Sequence, residues 1–161
     1  MVTAARQALT GSDNYFDDFE VGQVFRHARG KTVTEFDNVV LTHLMMNTAE
    51  GHFNEDRMAR SEFGTRITYG GIVGSIVVGL ASQDTGEQAV RELGVRSMRF
   101  VAPVLHGDTI YVYTKVLERS EPYDLDGQQV GEVVFKHWGV NQRQDVVAEV
   151  ERQVLLRCSD P

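Results

Sequence analysis

The sequence has little cysteine and little proline: one cysteine, Cys158, and three prolines among 161 residues. A single cysteine excludes an internal disulfide and any metal site built from several thiolates. No stretch rich in proline and serine divides the chain, whose length is typical of one domain. We therefore predict a single domain over residues 15–161, preceded by a flexible polar segment, residues 1–14.

Long apolar runs and an excess of basic charge are also missing. The longest apolar stretch, residues 72–81, has about ten residues, whereas a membrane span needs about 20. No basic region followed by an apolar run opens the chain, so we expect no signal peptide and a cytoplasmic protein without a membrane partner. The 16 basic and 23 acidic residues give a net charge of −7. This acidity argues against nucleic-acid binding, which depends on cations that neutralise phosphates.

Two helix starts are visible in the first half of the chain. Thr34 and Asp37 have the spacing of a capping box. Asn54 is a residue type that commonly caps a helix, and it indicates a second helix start. Side chains recur at helical spacing after the first cap: Phe36, Val40, Leu44 and Asn47. This spacing predicts that they form the core-facing side of a helix that ends near Asn47.

The remaining pattern predicts a buried helix and then a sheet. Residues 68–84 are apolar on every side and rich in glycine, which predicts a helix buried all round, with other backbone close to it. Alternating apolar residues and turn signals predict strands at residues 24–33, 95–101, 109–118, 131–140 and 146–158. This order indicates an α+β fold in which a curved antiparallel sheet wraps a central helix.

Three segments carry a family resemblance. They are FVAPVLHGDT at residues 100–109, FGTRITYGG at residues 63–71 and NTAEGHFN at residues 47–54. The first is similar to a family segment P-V-x-x-G-D-T, the second to the loop that enters the central helix, and the third lies where the family has D-x-N-P-x-H. Over residues 15–158 the chain resembles the MaoC-like (R)-specific enoyl-CoA hydratases and dehydratases, which have the hotdog fold. The flanking residues resemble the branch that hydrates mesaconyl-CoA.

The resemblance implies a hydro-lyase site with His52 as general base and acid. Histidine titrates near neutral pH, which suits a base that takes a proton from water. The resemblance also implies the N–H of Gly70 as oxyanion donor, and backbone N–H groups at a helix start are oriented for that role. Asn47 occupies the position of the family's aspartate. An amide can orient water but cannot carry a proton, so His52 makes both transfers or a carboxylate such as Glu50 assists.

The substrate implied is an acyl-CoA thioester, with no cofactor and no metal. Tyr69 and Gly71 flank the oxyanion position and are predicted to contact the substrate. Arg60 and Arg66 are predicted to bind its phosphates, because guanidinium groups match phosphate geometry. The resemblance further implies a homodimer, or a higher even homo-oligomer, with the ligand tunnel at the dimer interface, and an open sheet edge favours the same arrangement.

Plainer interpretations remain open for these residues. His52 could be a surface or capping residue, Asn47 a helix C-cap, and the Gly70–Gly71 pair a packing device. Of the other histidines, His106 is predicted to be structural and His43 a packing or interface residue. Two more are predicted to lie on the strand surface: His27 and His137. Cys158 alternates inward and is predicted to fill the core.

Three functions compete. The first is the hydro-lyase, acting on a short enoyl-CoA or on a carrier-protein thioester. The second is a hotdog thioesterase, which the sequence favours less because no carboxylate lies between Gly70 and Gln83 on the predicted central helix. The third is an acyl-CoA-binding protein without catalysis, which the asparagine at position 47 keeps open.

Overall fold

The computed structural model describes residues 6–7 and 14–159. The helices are α1 (Glu35–Leu44), α2 (Glu55–Met58) and α3 (Gly70–Thr85), with 3-10 turns at Phe16–Asp18 and Glu50–His52. The strands are β1 (Arg6–Gln7), β2 (Val24–Thr32), β3 (Ala89–Phe100), β4 (Thr109–Arg119), β5 (Tyr123–Leu125), β6 (Gln128–Val140) and β7 (Val146–Arg157). Most of the segment predicted to be flexible, residues 1–14, lies outside the described residues.

The strands form one seven-stranded sheet in the order β1-β2-β4-β6-β7-β3, with β5 paired to β6. Every described pairing is antiparallel except that of β1 with β2. Helix α3 packs against the concave face of the sheet. Val77 and Ala81 of that helix contact Ile110, Val112 and other buried apolar side chains. The predicted α+β architecture, with a sheet wrapped around a central helix, is confirmed. Among the described residues, no helix is both long and apolar enough to cross a membrane.

The central helix is not buried all round, which corrects the sequence prediction. Ser75 and Gly79 are exposed in the single chain, because the sheet covers the helix on one side only. The glycines on the covered side do permit close packing. A Cβ atom on Gly74 would lie 2.6 Å from the sulfur of Met98, so the glycine lets the Met98 side chain approach the helix closely.

The buried face of α1 also differs from the prediction. The capping box is confirmed, since the backbone N–H of Asp37 donates to Thr34 Oγ1 over 3.1 Å. Phe36 and Leu44, however, are each 73% exposed, and the buried residues of α1 are Asn38 and Thr42. Helical spacing identified the apolar side of α1, which includes Phe36 and Leu44. The polar side with Asn38 and Thr42 is buried instead, because these side chains have hydrogen-bond partners. The helix ends at Leu44, so Asn47 lies in the following turn.

The strands follow the predicted alternation and extend beyond it. The inward positions of β7 are confirmed, including Arg152, which is 1% exposed and donates to Glu92 (2.9 Å) and to the carbonyl of Thr85 (3.1 Å). Strand β3 begins six residues before the predicted start at residue 95. The predicted turn at residues 121–127 contains β5. Cys158 is half-buried and packs against the core near Phe16.

His27 and His137 were predicted to lie on the strand surface, and this is wrong. They are 1% and 0% exposed and belong to a buried polar chain. The Nδ1 of His27 is 2.6 Å from Asp84 Oδ2, and its Nε2 is 2.6 Å from Thr114 Oγ1. The same hydroxyl is 2.7 Å from Nδ1 of His137. This polar chain joins the C-terminal end of α3 to β2, β4 and β6.

The burial of His137 predicts a pH-dependent stability. Burial, reinforced by the nearby Arg152, holds the pKa of His137 well below 6.5. Below about pH 6.5 the unfolded chain therefore binds a proton at this ring that the folded chain does not bind. The free energy of unfolding should fall as the pH is lowered from 6.5, by about 1.4 kcal/mol per pH unit from this residue.

Urea unfolding between pH 7.5 and pH 5 measures this slope. His137→Asn keeps a polar atom near Thr114 but cannot titrate, so its slope should be shallower than that of the wild type. A residual slope is expected, because burial and Arg66 also lower the pKa of His106. Equal slopes for wild type and variant would contradict the assignment.

Candidate active site

A cavity of about 350 Å³ lies between the N-terminus of α3 and the end of β3. Its walls are mostly apolar, with Phe63, Phe100 and Pro103 among them, and His52 and Gly70 also line it. A largely apolar cavity with a few polar groups is the usual form of a small-molecule site. Within it the sequence-predicted base and the predicted oxyanion donor share one space.

His52 lines the cavity, and one of its two ring nitrogens has no hydrogen-bond partner in the described structure. The residue closes the 3-10 turn Glu50–His52, and its Nδ1 is 3.0 Å from the carbonyl oxygen of Ile67. A carbonyl oxygen only accepts, so Nδ1 carries a hydrogen and donates it. In the neutral ring Nε2 then keeps its lone pair, as a general base requires.

The first turn of α3 presents free backbone donors. Gly70 is the first helical residue, and in the described part of the chain neither its N–H nor that of Gly71 has an acceptor. A Cβ on Gly70 would lie 2.9 Å from the ring of Phe100, so glycine is needed for this close contact. Unpaired N–H groups and the helix dipole favour a negatively charged oxygen at this point of the cavity.

Tyr69 and Gly71 lie beside the cavity. The Tyr69 ring packs with its centroid 5.3 Å from that of His52, and a Cβ on Gly71 would lie 2.7 Å from the Tyr69 ring. Among the described residues neither lines the cavity wall. They shape the surroundings of His52 and Gly70, and direct substrate contact stays a prediction for both.

Asn47 is held in a turn. Its side-chain Oδ1 accepts from the backbone N–H of Ala49 (2.9 Å), and the backbone N–H of Asn47 donates to the carbonyl of Thr42 (3.0 Å). In the described structure its side chain makes no hydrogen bond to His52. The predicted role of Asn47 in orienting water stays a prediction.

Glu50 is engaged by its neighbours. Its carboxylate accepts from Arg57 and from Asn54 Nδ2, the latter over 3.3 Å. The hydrogen bond from Arg57, followed by that from Asn54, lowers the pKa of Glu50. A carboxyl group with a lowered pKa is ionised near neutral pH and is a weak base, so this environment disfavours the predicted assistance to His52.

The two arginines predicted to bind phosphate are paired with carboxylates. Exposed Arg60 donates to Asp56 over 2.6 Å. Arg66, whose side chain is only 14% exposed, donates to Glu35 (2.7 Å) and to Glu55 (2.5 Å). A phosphate would have to replace these partners, and phosphate binding by Arg60 and Arg66 stays a prediction.

Sequence reasoning missed one polar residue beside His52. Asn38 of α1 is fully buried, and its side chain contacts the backbone of His52 and the ring of His106. The available signal was the spacing of Asn38 and Thr42, which places two polar residues on the face of α1 opposite Phe36. The partners of Asn38 lie far away in the sequence, so spacing alone could not identify them.

Comparison with known proteins shows the family of the chain. A family model described as mesaconyl-CoA hydratase matches residues 5–157. The chain belongs to the mesaconyl-CoA hydratase family. A mesaconyl-CoA hydratase from Haloarcula marismortui is 32% identical over 159 residues, covering 92% of this chain and 43% of that protein. A β-methylmalyl-CoA dehydratase from Chloroflexus aurantiacus is 35% identical over 120 residues, covering 73% of this chain and 34% of that protein.

A solved structure from Mycobacterium tuberculosis, described as a double hotdog fold, superimposes with a TM-score of 0.81 at 23% identity. The match covers 91% of this chain and 46% of that one. The predicted hotdog fold and the MaoC-like hydratase resemblance, including its mesaconyl-CoA branch, are confirmed. The present chain spans less than half the length of the two relatives named above.

Proposed function

We propose that this domain carries a hydro-lyase site, which adds or removes water across the α,β double bond of a short enoyl-CoA thioester. The observation that carries the proposal is the hydrogen bond from His52 Nδ1 to the Ile67 carbonyl, which leaves Nε2 without a described partner in a residue that lines the same cavity as Gly70. Membership of the mesaconyl-CoA hydratase family supports the same chemistry.

In the hydration direction, His52 Nε2 takes a proton from water while the water oxygen bonds to the β-carbon. The electron pair of the double bond moves toward the α-carbon and the thioester oxygen, where negative charge develops. The N–H of Gly70 stabilises that oxygen. The protonated ring then returns its proton to the α-carbon, so one water is added and the neutral base is restored. Dehydration is the same sequence reversed.

The acyl group is proposed to be short, branched and dicarboxylic. Mesaconyl-CoA and β-methylmalyl-CoA, named for two relatives, are thioesters of this kind. A panel of crotonyl-, mesaconyl-, itaconyl- and longer enoyl-CoA esters, followed by loss of enoyl absorbance, tests both the activity and the chain length. A thiol reagent in parallel separates hydration from thioester hydrolysis, which alone releases free CoA. Absence of turnover with every ester would contradict the proposal and leave only acyl-CoA binding.

A thioesterase is less consistent with the site. The acidic residue of α3 is Asp84, which lies near the C-terminal end of the helix and is paired with His27. The cavity lies at the opposite end, beside Gly70. No carboxylate of α3 therefore reaches the proposed thioester position in the described structure.

A homodimer is proposed to form along β3. This strand is the last in the sheet order and pairs only with β7 within the described chain. Exposed apolar side chains lie along it and just beyond it: Leu93, Val95, Met98, Phe100 and Val101. An open edge with apolar side chains is a surface that proteins normally cover.

Sedimentation equilibrium should therefore give twice the chain mass of 18.0 kDa. Val95→Lys places a charge on the open edge and is expected to shift the protein toward monomer. As a control, Val21→Lys changes an exposed valine away from β3 and should leave the mass unchanged. A monomeric wild type, or an unchanged mass for Val95→Lys, would contradict the arrangement.

A further inference from the structure

Asn38 is a fully buried amide where three chain segments meet next to the cavity. Its Oδ1 accepts from the backbone N–H of Tyr69 (3.0 Å) and from the hydroxyl of Thr42 (3.3 Å). Its Nδ2 lies 2.8 Å from the carbonyl oxygen of His52, 2.9 Å from His106 Nε2 and 3.2 Å from the carbonyl oxygen of Ile67. Every polar atom of the side chain therefore has a partner.

The partners fix the orientation of the amide. The backbone N–H of Tyr69 can only donate and must face the oxygen, while the carbonyls of His52 and Ile67 can only accept and must face the nitrogen. His106 Nε2 then accepts from Asn38, so the neutral ring carries its hydrogen on Nδ1. Burial, followed by Arg66, lowers the pKa of His106 and favours this neutral ring.

We propose that Asn38 is a positioning residue for the hydratase reaction, holding the backbone of His52 at a fixed place relative to the first turn of α3. The inference rests on the proposed function. The Ile67 carbonyl that Asn38 binds is the same one that accepts from His52 Nδ1. The Tyr69 N–H that Asn38 accepts from directly precedes the N–H of Gly70. One amide thus links the base to the oxyanion donor.

The loop also has contacts that do not involve the His52 backbone: Arg66 pairs with Glu35 and Glu55, and the Thr68 N–H donates to the Val104 carbonyl (2.8 Å). Between α1 and α3 the regular structure is a single 3-10 turn and the four-residue α2. One backbone hydrogen bond, from Ile67 N–H to the Gly51 carbonyl (3.1 Å), joins the His52 turn directly to the segment before α3. Without the Asn38 amide, two carbonyls and one N–H would lose a buried partner, and the loop would shift to satisfy them.

Asn38→Asp is the sharpest test, because it replaces the donating NH2 by an oxygen of the same size. The new oxygen would face the carbonyl oxygens of His52 and Ile67 and repel them. We expect kcat to fall by about 10²-fold, the cost of a misplacement near 1 Å. KM should change much less, since the apolar cavity walls are unaltered.

Thr42→Val is the matched control. Thr42 is equally buried on the same helix and bonds to the same Asn38 oxygen, but its side chain makes no hydrogen bond to His52, Ile67 or Tyr69 in the described structure. Its kcat should stay at the wild-type value. If Thr42→Val lost as much kcat as Asn38→Asp, the effect would reflect general destabilisation and the positioning role would be overturned.

A second readout does not depend on turnover. Nitrogen-15 NMR of the His52 ring should show the Nδ1–H tautomer in the wild type and a mixed population in Asn38→Asp. If circular dichroism shows that this variant does not fold, Asn38→Ala takes its place with the same expectation. A folded Asn38 variant with the wild-type tautomer and the wild-type kcat overturns the proposal. A wild type without turnover would refute the hydratase function, while the tautomer comparison would still decide the role of Asn38.

Discussion

His52→Gln is expected to lower kcat for enoyl-CoA hydration by roughly 10²–10⁴-fold, the usual contribution of a general acid–base group. Glutamine fills a similar volume but has no basic lone pair at the position of Nε2. The Gly70 N–H and the apolar walls remain, so KM should change little. Steady-state absorbance assays on the best substrate of the panel measure both constants.

His43→Gln is a suitable control for that experiment. His43 is an exposed residue near the end of α1, and it does not line the cavity in the described structure. Its variant should keep the wild-type kcat. Wild-type turnover by His52→Gln would show that the base lies elsewhere.

Asp84→Ala is expected to lower the free energy of unfolding by about 3 kcal/mol. The substitution removes the carboxylate that lies 2.6 Å from His27 Nδ1. A buried ring nitrogen is then left without its partner, at a point where α3 is joined to the sheet. Urea unfolding at pH 7 measures the change. Because the polar chain lies far along α3 from Gly70, kcat of the folded variant should be close to that of the wild type.

Glu87→Ala provides the comparison on the surface. Glu87 follows Asp84 by three residues but is exposed, and surface substitutions usually change stability by less than about 0.5 kcal/mol. If Asp84→Ala and Glu87→Ala changed the free energy of unfolding equally, the polar chain would have no special part in stability.

The fold could be predicted because its signals are local. The period-two alternation of β7 and the apolar, glycine-rich composition of α3 each identify an element without reference to the rest of the chain. The errors concern polar side chains that the fold buries. His27 finds its partners 57 and 87 residues away in Asp84 and Thr114, and no local pattern reports such distances. The same reason explains why Asn38 was missed and why the exposed Phe36 was expected in the core.

The candidate site could also be predicted only in part from the sequence. His52 and Gly70 were named from the family resemblance, and the structure brings them to one cavity. The predicted roles of Arg66 and Glu50 could not be judged from the sequence, because each depends on a neighbouring charge. Arg66 pairs with Glu35, 31 residues earlier, which only the folded chain reveals.

In the proposed reaction, His52 directs the addition of one water molecule to the β-carbon of an enoyl-CoA. Mass spectrometry of the product formed in ¹⁸O-labelled water, with wild type and His52→Gln side by side, is the decisive test. We expect a hydroxyacyl-CoA that carries one labelled oxygen on the β-carbon with the wild type, and almost none at the same time with the variant. Label in a free carboxylate with release of CoA, or equal labelling by both proteins, would contradict it.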